Sequence, residues 1–162
     1  MAHEHSLKLP LAIIGPGDLN RLKRELLALD DYLNQAQLRR PGAAPKKLPK
    51  TTTGLDDLAS VNNLNLLQGD DRAKAIDFIQ ELSTKAPIVH ISFASDPSAV
   101  FMSKITAWFR DNINPRLLVS VGLEPSIAAG CTIRTDNHLQ DFSLRKHFDA
   151  QRGFLLEKIK ET

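Results

Sequence analysis

The sequence predicts an α+β protein in which a helical N-terminal region is joined by a Pro-rich linker to a small C-terminal α/β domain of order strand-helix-strand-strand-helix. Three observations carry this prediction. Apolar residues ahead of position 87 recur at helical steps, the stretch Arg39 to Lys50 cannot form a regular element, and after Pro87 short β-branched runs replace the helical pattern. The organisation that follows is an N-terminal segment with an amphipathic helix (1–38), a basic Pro-rich linker (39–54), a helical region (55–86) and a C-terminal α/β domain (87–162).

Leu9 to Ile14 is apolar and ends in Gly15-Pro16-Gly17-Asp18, so it reads as a strand or a docking segment closed by a turn, with Asp18 placed to cap a helix. From Leu19 the apolar positions Leu19, Leu22, Leu26, Leu29, Leu33 and Ala36 alternate steps of three and four. About two and a half heptads result, a seam that suits a partner helix or a contact within the chain's own domain. RRPGAAPKKLPK then holds three prolines, five basic residues and no acid, which predicts an extended tether. Thr51 to Gly54 lengthens that loop. Leu55 to Leu67 shows a helical pattern weakened by Asn62, Asn63 and Asn65, and Gly69-Asp70 breaks it. Asp71 can start another helix, with Ala75, Ile76, Ile79 and Leu82 on one face, closed by Lys85-Ala86-Pro87.

Ile88, Val89, Ile91 and Phe93, interrupted by His90 and Ser92, form a strand pattern. Ser95-Asp96-Pro97 starts a helix that carries Val100, Phe101, Ile105, Trp108 and Phe109 and stops between Asn112 and Pro115. Trp108 lies at core spacing and reads as a buried anchor. Leu117 to Val121 is a second strand, Cys131 to Arg134 a third, and His138 to Gln140 a returning fourth after the Asp136-Asn137 turn. A last helix opens near Asp141 to Ser143 and carries Leu144, Phe148, Leu155 and Ile159, with Gly153 as its weak point.

Composition narrows the function. With 162 residues, 42% hydrophobic and 25% charged, the chain has the make-up of a folded domain. A net charge of +2 is too small for a protein whose main task is to coat nucleic acid, although residues 1–54 hold 9 basic and 5 acidic residues against 12 and 14 in 55–162. The single cysteine, Cys131, rules out an intrachain disulfide and a cysteine-based zinc cluster, and on an apolar strand it reads as a small buried hydrophobe. No apolar run approaches the ~20 residues of a bilayer span, and Met1 to Lys8 lacks the pattern of a signal peptide, so the chain is expected to stay where it is made.

No residue pattern in the sequence points to catalytic chemistry. Gly15-Pro16-Gly17 has neither the third glycine nor the lysine of a phosphate loop, and its proline offers no N–H. His3, His5, His90, His138 and His147 show no ligand spacing of the H-x-x-x-H type. The pairs Asp30-Asp31, Asp56-Asp57 and Asp70-Asp71 are neighbours in sequence, which point apart on a helix and read as capping and solubility residues. No cofactor is expected.

The C-terminal order of elements carries a resemblance. Glu124-Pro125-Ser126-Ile127-Ala128-Ala129-Gly130, then Ile133-Arg134, then Asp141-Phe142-Ser143-Leu144, with the opening strand Ile88-Val89-His90-Ile91-Ser92, make residues 87–157 resemble the C-terminal domain of the ATP synthase delta subunit family, relatives of the oligomycin sensitivity-conferring protein. Ala129 stands where the family has the first of two glycines, and Glu124 replaces an aspartate. Read physically, Pro125 fixes the chain direction after the second strand, Gly130 permits a close approach or a positive φ, and Asp141 or Ser143 can cap the final helix.

The resemblance implies a noncatalytic stator subunit of a proton-translocating rotary ATP synthase. Its partners would be peripheral-stalk helices and the alpha subunits of the catalytic head, and its location cytoplasmic, held at the inner or plasma membrane by the complex. The family's N-terminal domain is a six-helix bundle of roughly a hundred residues, for which the region before Pro87 has too few helical segments. The contact with the alpha subunits is the part of the family pattern this departure touches. The helix bearing Leu19, Leu22, Leu26, Leu29 and Leu33 is then the expected partner interface. The alternative from residues alone is a small nucleic-acid-binding module using the basic linker, which requires aromatic residues exposed on the sheet, where only Phe93 is available.

Overall fold

The computed structural model describes residues 7–38, 49–127, 129–135 and 137–160. Three helices come first: α1 (Pro16–Gln37), α2 (Thr53–Asn62) and α3 (Gly69–Lys85). Strand β1 (Ile88–Phe93), helix α4 (Ala99–Asn112) and strand β2 (Leu118–Leu123) follow, then a single 3-10 turn at Pro125–Ile127, the strands β3 (Cys131–Arg134) and β4 (Leu139–Asp141), and helix α5 (Leu144–Lys160). The four strands lie in the order β2-β1-β3-β4, with β1 parallel to β2 and antiparallel to β3, and β4 antiparallel to β3. The chain is therefore α+β, as its patterning predicts.

Helix boundaries are set by side-chain partners, some near and some distant in the chain, that spacing alone misplaces. Gly15, not Asp18, occupies the position ahead of α1; Asp18 sits one turn in, and its carboxylate reaches back to accept the N–H groups of Ile14 (3.2 Å) and Gly15 (3.1 Å). That satisfies donors which the first turn leaves open. Helix α2 begins at Thr53, inside the stretch expected to be linker, because the Glu25 carboxylate of α1 accepts both the N–H and the hydroxyl of Thr52 and holds the turn in place. It ends at Asn63, which adopts φ 52°, a left-handed conformation that asparagine tolerates better than most residues. For α4 the cap is Ser98, whose hydroxyl accepts the Phe101 N–H, rather than Ser95 or Asp96.

Two apolar cores flank the sheet. One gathers Leu9, Ile13, Leu19, Leu22, Leu26, Leu55, Leu58, Phe78, Ile79 and Leu82 with Leu118 of β2. The other holds Val89, Ile91 and Phe93 of β1, Leu117 and Val119 beside and within β2, and Met102 and Phe109 of α4. Leu118 and Val119 are adjacent and point to opposite faces, so one strand stitches the helical layer to the α/β layer. This corrects the expected separation into regions: α1 precedes the linker, yet it packs on α3, which follows it. The central part of that linker, 39–48, lies outside the described residues.

The segment from Leu7 to Ile14 is the docking piece, not a strand. Leu9 and Ile13 are buried, and the Ile14 carbonyl accepts the Val119 N–H at 2.9 Å. Arg110 of α4, itself buried, donates to the carbonyls of Pro10 (2.9 Å), Ile13 and Leu117 (3.1 Å). Loss of water pushes its guanidinium down to about 10, which leaves it charged at neutral pH. A cation held by three main-chain carbonyls thus fixes the N-terminal segment to the second core.

Candidate functional site

The leucines expected to meet a partner are the first residues to place. Leu19, Leu22 and Leu26 are exposed by only 2%, 1% and 1%, and lie in the chain's own helical core; Leu29 and Leu33 are half-buried. The α1 seam is thus used internally. Asp30, one turn on from Leu26, accepts the Arg72 Nε of α3 at 2.7 Å, while Arg72 also donates to the carbonyls of Leu66 and Leu67. The three-four spacing identifies a helix-helix contact correctly. It carries no label for whose helix is opposite, and here α3 supplies it.

Of the residues that carry the family resemblance, Glu124 to Ile127, Ala129 and Gly130, and Asp141 to Leu144 form a connected rim at the carboxyl end of β1, while Ile133 and Arg134 lie farther along β3, opposite Ile91 and His90. The Glu124 N–H donates to Phe93, ending β2 against β1, and Pro125 opens the 3-10 turn. The Glu124 carboxylate accepts the Ser126 hydroxyl at 3.0 Å. Gly130 has φ +91°, and a Cβ there would overlap the Phe142 carbonyl, so both conformation and space demand glycine. Ala129 accepts the Leu144 N–H at 2.9 Å, and Cys131 accepts that of Phe142, so the rim is tied to the start of α5. Asp141 accepts the Ser143 N–H at 2.8 Å, a local turn placed just ahead of α5, and Ser143 is buried.

Beside this rim lies a hollow of about 580 Å³ lined by Phe93, Asp96, Ser98, Phe101, Gly130 and Cys131. Burial pushes the Cys131 thiol up, away from the thiolate that nucleophilic chemistry requires. A second groove of about 620 Å³ runs over the polar part of the opposite sheet face, lined by His90, Ser92, Glu124, Thr132, Arg134 and Leu139. The register explains its make-up: His90 pairs with Arg134 and Ser92 with Thr132, so these side chains share one face. Among the described residues no group of three or more His, Cys, Asp or Glu comes together that could hold a metal ion, and no described helix is long and apolar enough to cross a membrane. His3 and His5 lie outside the described residues.

Exposed apolar side chains are concentrated on α4 and α5. Trp108, expected in the core, is 56% exposed and lies edge-on to Phe109 at 5.3 Å between ring centres. Phe101, edge-on to Phe93, is also exposed, and half-buried Ile105 falls between them in the i, i+4, i+7 row. The sequence reading placed Trp108 in the core with Ile105 and Phe109; Trp108 and Phe109 are neighbours, and only Phe109 points at the sheet. On α5, Leu144, Phe148 and Ile159 share one stripe by spacing, and each is exposed. Phe93, the aromatic residue of the sheet, faces the core and is only 7% exposed. No family model and no curated protein matches this chain.

Proposed function

We propose that the chain is a noncatalytic stator component of a rotary, proton-translocating ATP synthase, linking the peripheral stalk to the catalytic head. The observation that carries this reading is the rim from Glu124 to Leu144. Several of the residues behind the family resemblance are joined there by main-chain hydrogen bonds around Gly130, where a side chain would be strained. A stator part needs complementary surfaces and resistance to torque, and it needs no reaction centre.

The apolar stripe Phe101, Ile105 and Trp108 on α4 supports the reading, because such a row fits the apolar face of a partner helix. The partner-binding role assigned to α1 from its sequence passes to α4, with α5 as a second such face. The stalk's amphipathic helices are the proposed occupants. Cores on both faces of β2, together with the Arg110 clamp, make the molecule suited to passing a load between its layers.

The test is to tag the chain in its native cell, isolate membranes, solubilise them and identify what co-purifies. Stalk and head subunits in fixed stoichiometry are the expected result. Purified ATP synthase that lacks the chain, with the chain recovered elsewhere, overturns the proposal.

A further inference from the structure

The outer edge of β2 is an unfinished ladder. The Leu118 N–H donates to Pro87, so residues 118, 120 and 122 turn their main-chain groups toward β1, and Val119, Val121 and Leu123 turn theirs away from the sheet. Ile14 takes the first rung by accepting the Val119 N–H. The chain then leaves at Gly15 for α1, with Gly15 so close to the Val119 carbonyl that a Cβ would lie 2.6 Å from it. Beyond that point the outward N–H and C=O of Val121 and the N–H of Leu123 bond to nothing among the described residues. Past the part covered by Ile14 and Gly15, the edge has neither of two common blocks, a charge or a proline. Leu118–Leu123 contains no charge and no proline, and Val121 and Leu123 are 43% and 60% exposed on the side of the sheet that α4 covers.

We infer that this edge receives an extended segment of a partner protein, which continues the ladder begun by Ile14. The occupant is fixed by chemistry. Donor and acceptor groups on alternate residues match an extended backbone, whereas a helix has already used its own. The apolar pair Val121 and Leu123 selects a segment with apolar residues at every second position. Gly15 below and the Pro125 turn above limit it to a few residues. This inference is independent of the stator proposal, since it rests on β2 and that proposal on the rim and α4.

The experiment selects binders to the immobilised full-length chain from a phage library of random 12-residue peptides, then follows amide exchange of the complex. Selected peptides are expected to show period-two apolar patterning and to slow exchange at Val121 and Leu123 at least tenfold, leaving Ser120 and Gly122 unchanged. Val121→Pro removes an outward N–H without touching the bonds to β1, and should weaken binding at least tenfold. Should that variant fold poorly, Leu123→Lys places a charge on the edge and should do the same. Failure to select any peptide, helical i, i+3/i+4 patterning, protection elsewhere, or unchanged affinity in the folded variant overturns the inference. So does a dimer of the free chain that Val121→Pro abolishes, because the occupant is then a second copy.

Discussion

Gly130 is the residue whose sequence and structure agree most closely. Its φ of +91° and its contact with the Phe142 carbonyl predict that Gly130→Ala costs about 1–3 kcal/mol. Gly153, inside α5 with open space where its Cβ would stand, is the control: Gly153→Ala should be neutral or raise stability by up to about 1 kcal/mol. Thermal melting of the two variants checks the pair. Asp71 gives a pH prediction. Its carboxylate accepts the Asn65 N–H and a Lys74 ammonium bond, which hold it below the usual value of 3.8. A folded-state value below the unfolded one stabilises above the unfolded value and is lost as pH falls through the folded one. Asp71→Asn should therefore melt lower than wild type near neutrality, with the gap closing below about pH 4. Legibility is uneven at this scale. The glycine was readable because few residues accept its backbone; Trp108 was not, since one residue step of about 100° separates it from buried Phe109 and periodicity does not give the width of the buried arc.

Among elements, α1 decides between two readings that its spacing left open. Leu26 is buried among residues of the same chain, so Leu26→Ala should lower the stability of the isolated protein by about 2–5 kcal/mol, measured by denaturant unfolding with no partner present. An unchanged midpoint would return the seam to a partner. The N-terminal segment depends on α4: Arg110→Met removes the donor to the carbonyls of Pro10, Ile13 and Leu117, of which Pro10 keeps the Ile13 N–H. The expected cost is on the order of 3 kcal/mol, accompanied by faster amide exchange at Ile13 and Val119. Among the described residues, each of α1–α5 and β1–β4 had a sequence signal, because turn residues and the change of period at Pro87 mark them, while the strand option for Leu9 to Ile14 did not form. Boundaries shifted where long-range partners intervene, as when Glu25 anchors Thr52 and lets α2 start early. The Arg110 clamp had little local signal, since two of its three acceptors, Pro10 and Ile13, lie some hundred positions away in the chain and only Leu117 is near.

For the whole molecule, the sequence suggests beads on a tether and the structure joins them through β2, whose neighbouring residues Leu118 and Val119 belong to different cores. Nothing in a period-two pattern reveals that both faces of a strand are covered by different layers; only a run such as Leu117-Leu118-Val119, apolar at every position, hints at it. That joined body leaves Phe101 and Trp108 outward on α4, the pair on which the proposed linking role can be tested. The most direct measurement is the fraction of catalytic head that remains on isolated native membranes when the chain carries Phe101→Glu and Trp108→Glu together. Both side chains are exposed, so melting of the purified variant should stay close to wild type. The expected result, if the chain is the proposed stator part, is that the head is shed into the soluble fraction, and that removing the chain altogether sheds it too. Full retention of the head on membranes carrying the folded double variant, or on membranes that lack the chain, would contradict the stator proposal.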